Sequence, residues 1–87
     1  MINTDSVLRE REKTHGDFAH VAFVAQQIKA VMWGSPNWAT MTPVQTEALE
    51  MIATKMARIL CGNPGEVDHY RDIMGYAQLA LPQKAGK

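Results

Sequence analysis

The sequence predicts an all-α fold, a small helical bundle built on an antiparallel helical hairpin. Three observations carry that expectation. Apolar residues recur at steps of three and four through most of the chain. Proline and glycine cut the chain into blocks of helical length, and none of these blocks carries the alternating pattern of a strand. The 87 residues suit one domain spanning 1–87.

The first block, 4–13, is a short, highly charged helix. Its Arg9, Glu10, Arg11 and Glu12 alternate in sign, and Val7 and Leu8 are its only interior apolar pair. His15-Gly16-Asp17 breaks it, with Asp17 placed to cap the helix that follows. That second helix, 18–33, puts Val21, Val24, Ala25, Ile28, Val31 and Met32 on one broad face, widened by Phe18 and Ala22, with Phe23 across from it. Such a face suits a central helix packed on two sides, or a surface for self-association. A loop from Gly34 to Met41 holds Pro36 and Trp38.

The third helix, 43–61, opens with two start signals. Thr42 with Gln45 three residues on is a capping box, and Pro43 occupies the first helical position. Its core residues are expected to be Ala48, Leu49, Ile52, Ala53, Met56, Ile59 and Leu60. Gly62-Asn63-Pro64-Gly65 ends it. The fourth helix, 66–81, is expected to bury Tyr70, Ile73, Met74, Ala77, Ala80 and Leu81, with Pro82 as its stop and a frayed tail over 83–87.

Bulk composition excludes several function classes. Nine basic and nine acidic residues leave a formal net charge of zero with no block of one sign, so long-range attraction to DNA has no support. Met1 to Lys13 is charged and lacks the apolar stretch of a signal peptide. The longest apolar region, Phe18 to Trp33, is interrupted by His20, Gln26, Gln27 and Lys29, which argues against a membrane span. Cys61 is the only cysteine, so no disulfide forms within one chain, and a free thiol fits a cytoplasmic setting. A chain this short buries only about 60% of its unfolded surface, and small cores like that often need a metal, a disulfide or a partner chain. The expected assembly is a homo-oligomer, with a dimer through the second helix favoured.

Chemistry concentrates on the last two helices. Glu47, Glu50, Thr54 and Arg58 share about a third of the third helix, with Lys55 further round. Asp68 and Asp72 are four apart on the fourth, and Gly75 continues their row. Glycine inside a helix costs roughly 1 kcal/mol against alanine, so Gly75 reads as a close approach of a neighbouring helix or of a ligand. Carboxylates so spaced on facing helices, Glu47 and Glu50 with Asp68 and Asp72, have the oxygen donors for Mg²⁺. Lys55 and Arg58 could instead neutralise the two aspartates, Arg58 meeting Asp68 and Lys55 meeting Asp72 across the hairpin. Trp33 and Trp38 flank the loop and either close the core or stack on a base. The three histidines have no recognisable metal-ligand spacing.

Lys55-Met56-Ala57-Arg58-Ile59, then Asp68, then Asp72 through Ala77, resembles a family of small phage and prophage proteins. Arg11 and His15-Gly16-Asp17 resemble the opening pattern of the same family, so the likeness runs from Arg9 to Leu81. That family is likened to the MazG-type all-α pyrophosphohydrolases, which convert nucleoside triphosphates to monophosphates and pyrophosphate with Mg²⁺. The likeness implies metal binding by Glu47, Glu50, Asp68 and Asp72, and phosphate or nucleotide binding by Lys55, Arg58, Tyr76 and His15. The MazG pattern of Glu-Glu-x-x-Glu is incomplete here, because Thr46 stands where the first pair would begin, and Asp68 and Asp72 lack the later glutamate. No catalytic residue is assigned. Three functions follow as expectations: a reduced pyrophosphohydrolase in the cytoplasm of a phage host; a non-enzymatic protein that sequesters a nucleotide signal or blocks a host protein; or an interaction module whose charged hairpin is structural.

Overall fold

The computed structural model describes residues 4–82 and is all-α, with no strand among the described residues. The expected tail at 83–87 lies outside them. Helix α1 spans Thr4–His15, α2 Phe18–Trp33, α3 Pro43–Cys61 and α4 Val67–Ala80, and a 3₁₀ turn, Trp38–Thr40, interrupts the loop before α3. None of these helices is long and apolar enough to cross a membrane.

Local chemistry sets the helix ends. Helix α1 runs to His15, two residues past its expected end, because the true break is Gly16, whose φ of +90° an L side chain rarely adopts. Asp17 then caps α2, its carboxylate accepting from the His20 amide at 3.2 Å. The capping box at α3 is complete, with Gln45 N–H on the Thr42 hydroxyl at 3.2 Å and Thr42 N–H on the Gln45 side chain at 2.9 Å. In the α3–α4 turn the Asn63 side chain accepts from the Gly65 amide, and the Tyr70 hydroxyl donates to the Pro64 carbonyl at 2.8 Å.

Helix α3 is the centre of the molecule. It packs along α4 on one side and α2 on the other, while α2 and α4 share at most a marginal contact. The three form an open layer, and α1 lies across it with its C-terminal end anchored near the end of α3. That anchor is tight. A Cβ on Gly16 would meet the Cys61 carbonyl oxygen at 2.6 Å, and one on Gly62 would meet Gly16 N and Thr14 O at 2.6 Å. Asn63 N–H donates to Thr14 O at 3.1 Å across this crossing.

The core differs from the one the periodicity predicts. The buried apolar residues are small: Val21, Ala25, Ala48, Ala53 and Ala57. Leu49, Met56 and Leu60 of α3 are exposed, as are Tyr70, Met74, Ala77 and Leu81 of α4 and Val31 of α2. Helix α4 presents the expected Ile73 and Ala80 towards the layer together with His69 and Tyr76, a rotation of about a fifth of a turn from the expected stripe. Gly75 is a second correction. A Cβ there would meet nothing within 4 Å, so it marks no close approach of a helix.

Candidate functional site

Helices α1 and α2 diverge from the Gly16–Asp17 turn, and the wedge between them is floored by α3. This leaves a cleft of about 410 Å³. Leu8, Phe18, Val21, Ala22 and Ala25 form its apolar wall. Polar groups enter from all three helices: Arg11, Glu12 and His15 from α1, Gln26 and Lys29 from α2, Thr54 and Arg58 from α3, with Asp17 at the turn. Arg11, Lys29 and Arg58 make no ion pair with any described residue. A pocket that is apolar on one side and sets three cations against the two carboxylates of Glu12 and Asp17 on the other suits a small-molecule anion.

His15 ties this cleft to α4. His69 is 2% exposed, and its Nε2 lies 3.3 Å from the Thr14 carbonyl oxygen and 3.3 Å from His15 Nδ1. The carbonyl can only accept, so His69 Nε2 carries a hydrogen and His15 Nδ1 faces it as an acceptor. The rings are 5.0 Å apart. Burial pushes the His15 pKa below 6.5, and Arg58, Arg11, His69 and Lys55 push it the same way. Burial first, and then these neighbouring groups, therefore oppose a proton on His15.

The residues expected from the sequence divide between three places. Arg58 and His15 are in the cleft. Lys55 is not among its lining residues; its ammonium is 2.9 Å from the Asp72 carboxylate, with only 12% of the Lys55 side chain exposed. The hydrogen bond from Lys55 holds the Asp72 carboxyl below the usual carboxylate range. Asp68 pairs loosely with Arg71 at 3.8 Å and not with Arg58, because Arg58 turns to the α1 side of α3. Tyr76 lines a shallow depression along α4 with Asp72 and Gly75, and a second with Val44 and Glu47 at the start of α3.

The four carboxylates proposed for Mg²⁺ are scattered. Glu50 accepts the Trp33 indole N–H at 3.0 Å, which also explains why Trp33 neither fills the core nor lines the cleft. Glu47 is exposed, and Asp68 and Asp72 are each taken by a cation. Among the described residues no group of three or more His, Cys, Asp or Glu is placed to hold a metal ion. The donors present do not fit Mg²⁺ within a single chain.

Arg11, Lys29 and Thr54 are among the cleft residues absent from the sites expected from the sequence. Arg11 was visible as part of the opening pattern, one turn before His15 on the same helix. Lys29 carried no signal, since a single lysine in an apolar helix reads as a solvated interruption.

A family model described as Domain of unknown function (DUF6378) matches residues 3–83. No curated protein and no solved structure matches the chain. The match takes in α1 to α4 and every residue of the cleft, and the chain belongs to the DUF6378 family.

Proposed function

We propose that this protein binds a nucleotide, or a closely related phosphate-bearing small molecule, in the cleft between α1, α2 and α3. The observation that carries the reading is the set Arg11, Lys29 and Arg58, three cations without acidic partners around an apolar-walled pocket. Guanidinium groups hold phosphate oxygens through paired hydrogen bonds, and a lysine adds a point charge. Phe18, Val21 and Ala22 offer an apolar wall to a base or sugar. The resemblance of the sequence to a phage family that is likened to MazG-type proteins favours a nucleotide over other anions, and a cytoplasmic setting in a phage host accords with that ligand.

Binding without metal-dependent hydrolysis is the reading favoured here, because the carboxylates are dispersed and two of them neutralise cations. On this reading the protein sequesters a nucleotide signal. Hydrolysis of a triphosphate to monophosphate and pyrophosphate is the second reading, resting on the resemblance alone.

Isothermal titration with a panel of nucleoside mono-, di- and triphosphates and pyrophosphate, with and without Mg²⁺, tests this. Binding is expected without Mg²⁺. Arg11→Ala and Arg58→Ala should each weaken it about 10- to 100-fold, the effect of losing a charge-assisted hydrogen bond worth roughly 1.5–3 kcal/mol. Their melting temperatures should stay near that of the wild type, since neither arginine has a protein partner to lose. Silence across the panel, or wild-type affinity in Arg58→Ala, sinks the proposal. Release of pyrophosphate only when Mg²⁺ is present moves the choice to hydrolysis.

A further inference from the structure

The side of the α2–α3–α4 layer away from α1 is apolar along α3 and α4, and α2 adds Val31 beside the exposed His20 and Gln27. On α3, Leu49, Met56 and Leu60 lie opposite Thr54 and Arg58, which line the cleft beneath α1. On α4, Tyr70, Met74 and Leu81 lie opposite Asp72, whose carboxylate reaches Lys55 on the cleft side. On α2, Val31 lies opposite Ala22 and Lys29, again cleft residues. These positions therefore share one face of the layer. Their exposure runs from 38% at Leu49 to 73% at Val31, so the single chain leaves the face open.

We infer that this face is the contact surface for a second copy of the same chain. The first support is the core, which holds only alanines, two valines and Cys61 among its buried and adjoining α2 and α3 members, with no large side chain fully buried. A domain of this size with so little buried apolar area ordinarily gains the remainder from another chain. The second support is the sequence pattern. Part of each stripe that identifies α3 and α4 as amphipathic is left outside, Leu49, Met56 and Leu60 on one and Tyr70, Met74 and Leu81 on the other, and a second copy laid on the face would put these residues in a core.

The third support is charge. No Asp, Glu, Lys or Arg falls in that sector of any of the three helices. A partner of strong charge would find nothing complementary there. Two copies meet without repulsion, because the formal net charge is zero. Seven large side chains so exposed offer on the order of 700–800 Å², close to what each partner gives to a standard stable interface. A two-fold arrangement follows, since one patch must match itself. The contact is wider than one through α2 alone, and it leaves the cleft open.

Sedimentation of the full chain without ligand, together with methyl NMR of the wild-type methionines in the presence of a soluble paramagnetic probe, tests this. At micromolar concentration the mass should be about twice the 9.7 kDa of one chain. The Met56 and Met74 methyls should be shielded from the probe, a readout that needs no destabilising variant. Leu60→Glu and Met74→Glu should abolish the double mass, whereas Leu79→Glu, on the other side of α4, should keep it. A single-chain mass at tens of micromolar with a cooperative melt overturns the inference. So does a double mass with Met56 and Met74 open to the probe, which would put the contact on another face. Because no ligand is present, either result stands apart from the nucleotide reading.

Discussion

At the scale of single residues, the His15–His69 pair decides how the molecule answers pH. His69 Nε2–H points at both the Thr14 carbonyl and His15 Nδ1, so a proton added at His15 Nδ1 would set two N–H groups against each other. Burial, then Arg58 and Arg11, oppose that proton as well. The folded-state pKa of His15 lies below its unfolded value of 6.5, so the unfolded chain binds more protons as the pH falls through that value. Stability should be level above about pH 7 and drop as the pH falls through 6.5 and below. Melts across this range should show the drop in the wild type and a flatter profile in His15→Gln. An equal slope in both would exclude His15 as its source. A bound polyanion acts in the opposite direction, favouring protonated His15, so saturating pyrophosphate should reduce the acid loss if the cleft is its site.

At the scale of elements, three glycines that look alike in sequence separate into two kinds. Gly16 has a left-handed φ and no room for a Cβ against Cys61, and Gly62 faces Gly16 and Thr14 across the same crossing. Gly16→Ala should cost about 2 kcal/mol or more, from backbone strain together with steric displacement. Gly75 has open space around it in a helix interior, so Gly75→Ala should stabilise by roughly 0.5–1 kcal/mol. Denaturant unfolding of the two variants checks both signs, and a destabilising Gly75→Ala would restore a contact at that position. The same contrast shows what the sequence discloses. Helix starts are legible because a cap is a local hydrogen bond, as at Thr42–Gln45 and Asp17. The end of α1 was placed two residues early because only the packing on Cys61 and Gly62 fixes which residue of His15-Gly16-Asp17 turns. Arg58 and His15 could be named from the chain alone, but their meeting with Arg11 and Lys29 depends on the angle between α1 and α2. No periodicity encodes that angle.

At the scale of the whole molecule, the single chain is open. Its radius of gyration is 15.5 Å, against roughly 12 Å for a compact domain of this length, and its extents are 55 × 29 × 25 Å. The apolar period was read correctly as helical, yet it did not say which chain would cover each stripe, and that is why Leu60, Met74 and Leu81 were expected inside. If a second copy covers them, folding and association are one equilibrium, and stability depends on protein concentration. Each tenfold rise in concentration then adds about 1.4 kcal/mol per mole of dimer. For a unit of two such chains, 1 kcal/mol moves the melting midpoint by roughly 2–4 °C, so each decade should raise it by about 3–6 °C. Melts from about 1 to 100 µM read this directly, by circular dichroism at the dilute end and calorimetry at the other. Leu79→Glu, off the face, should keep the dependence. A midpoint that stays fixed across the two decades would mean that the small alanine and valine core holds the layer together alone.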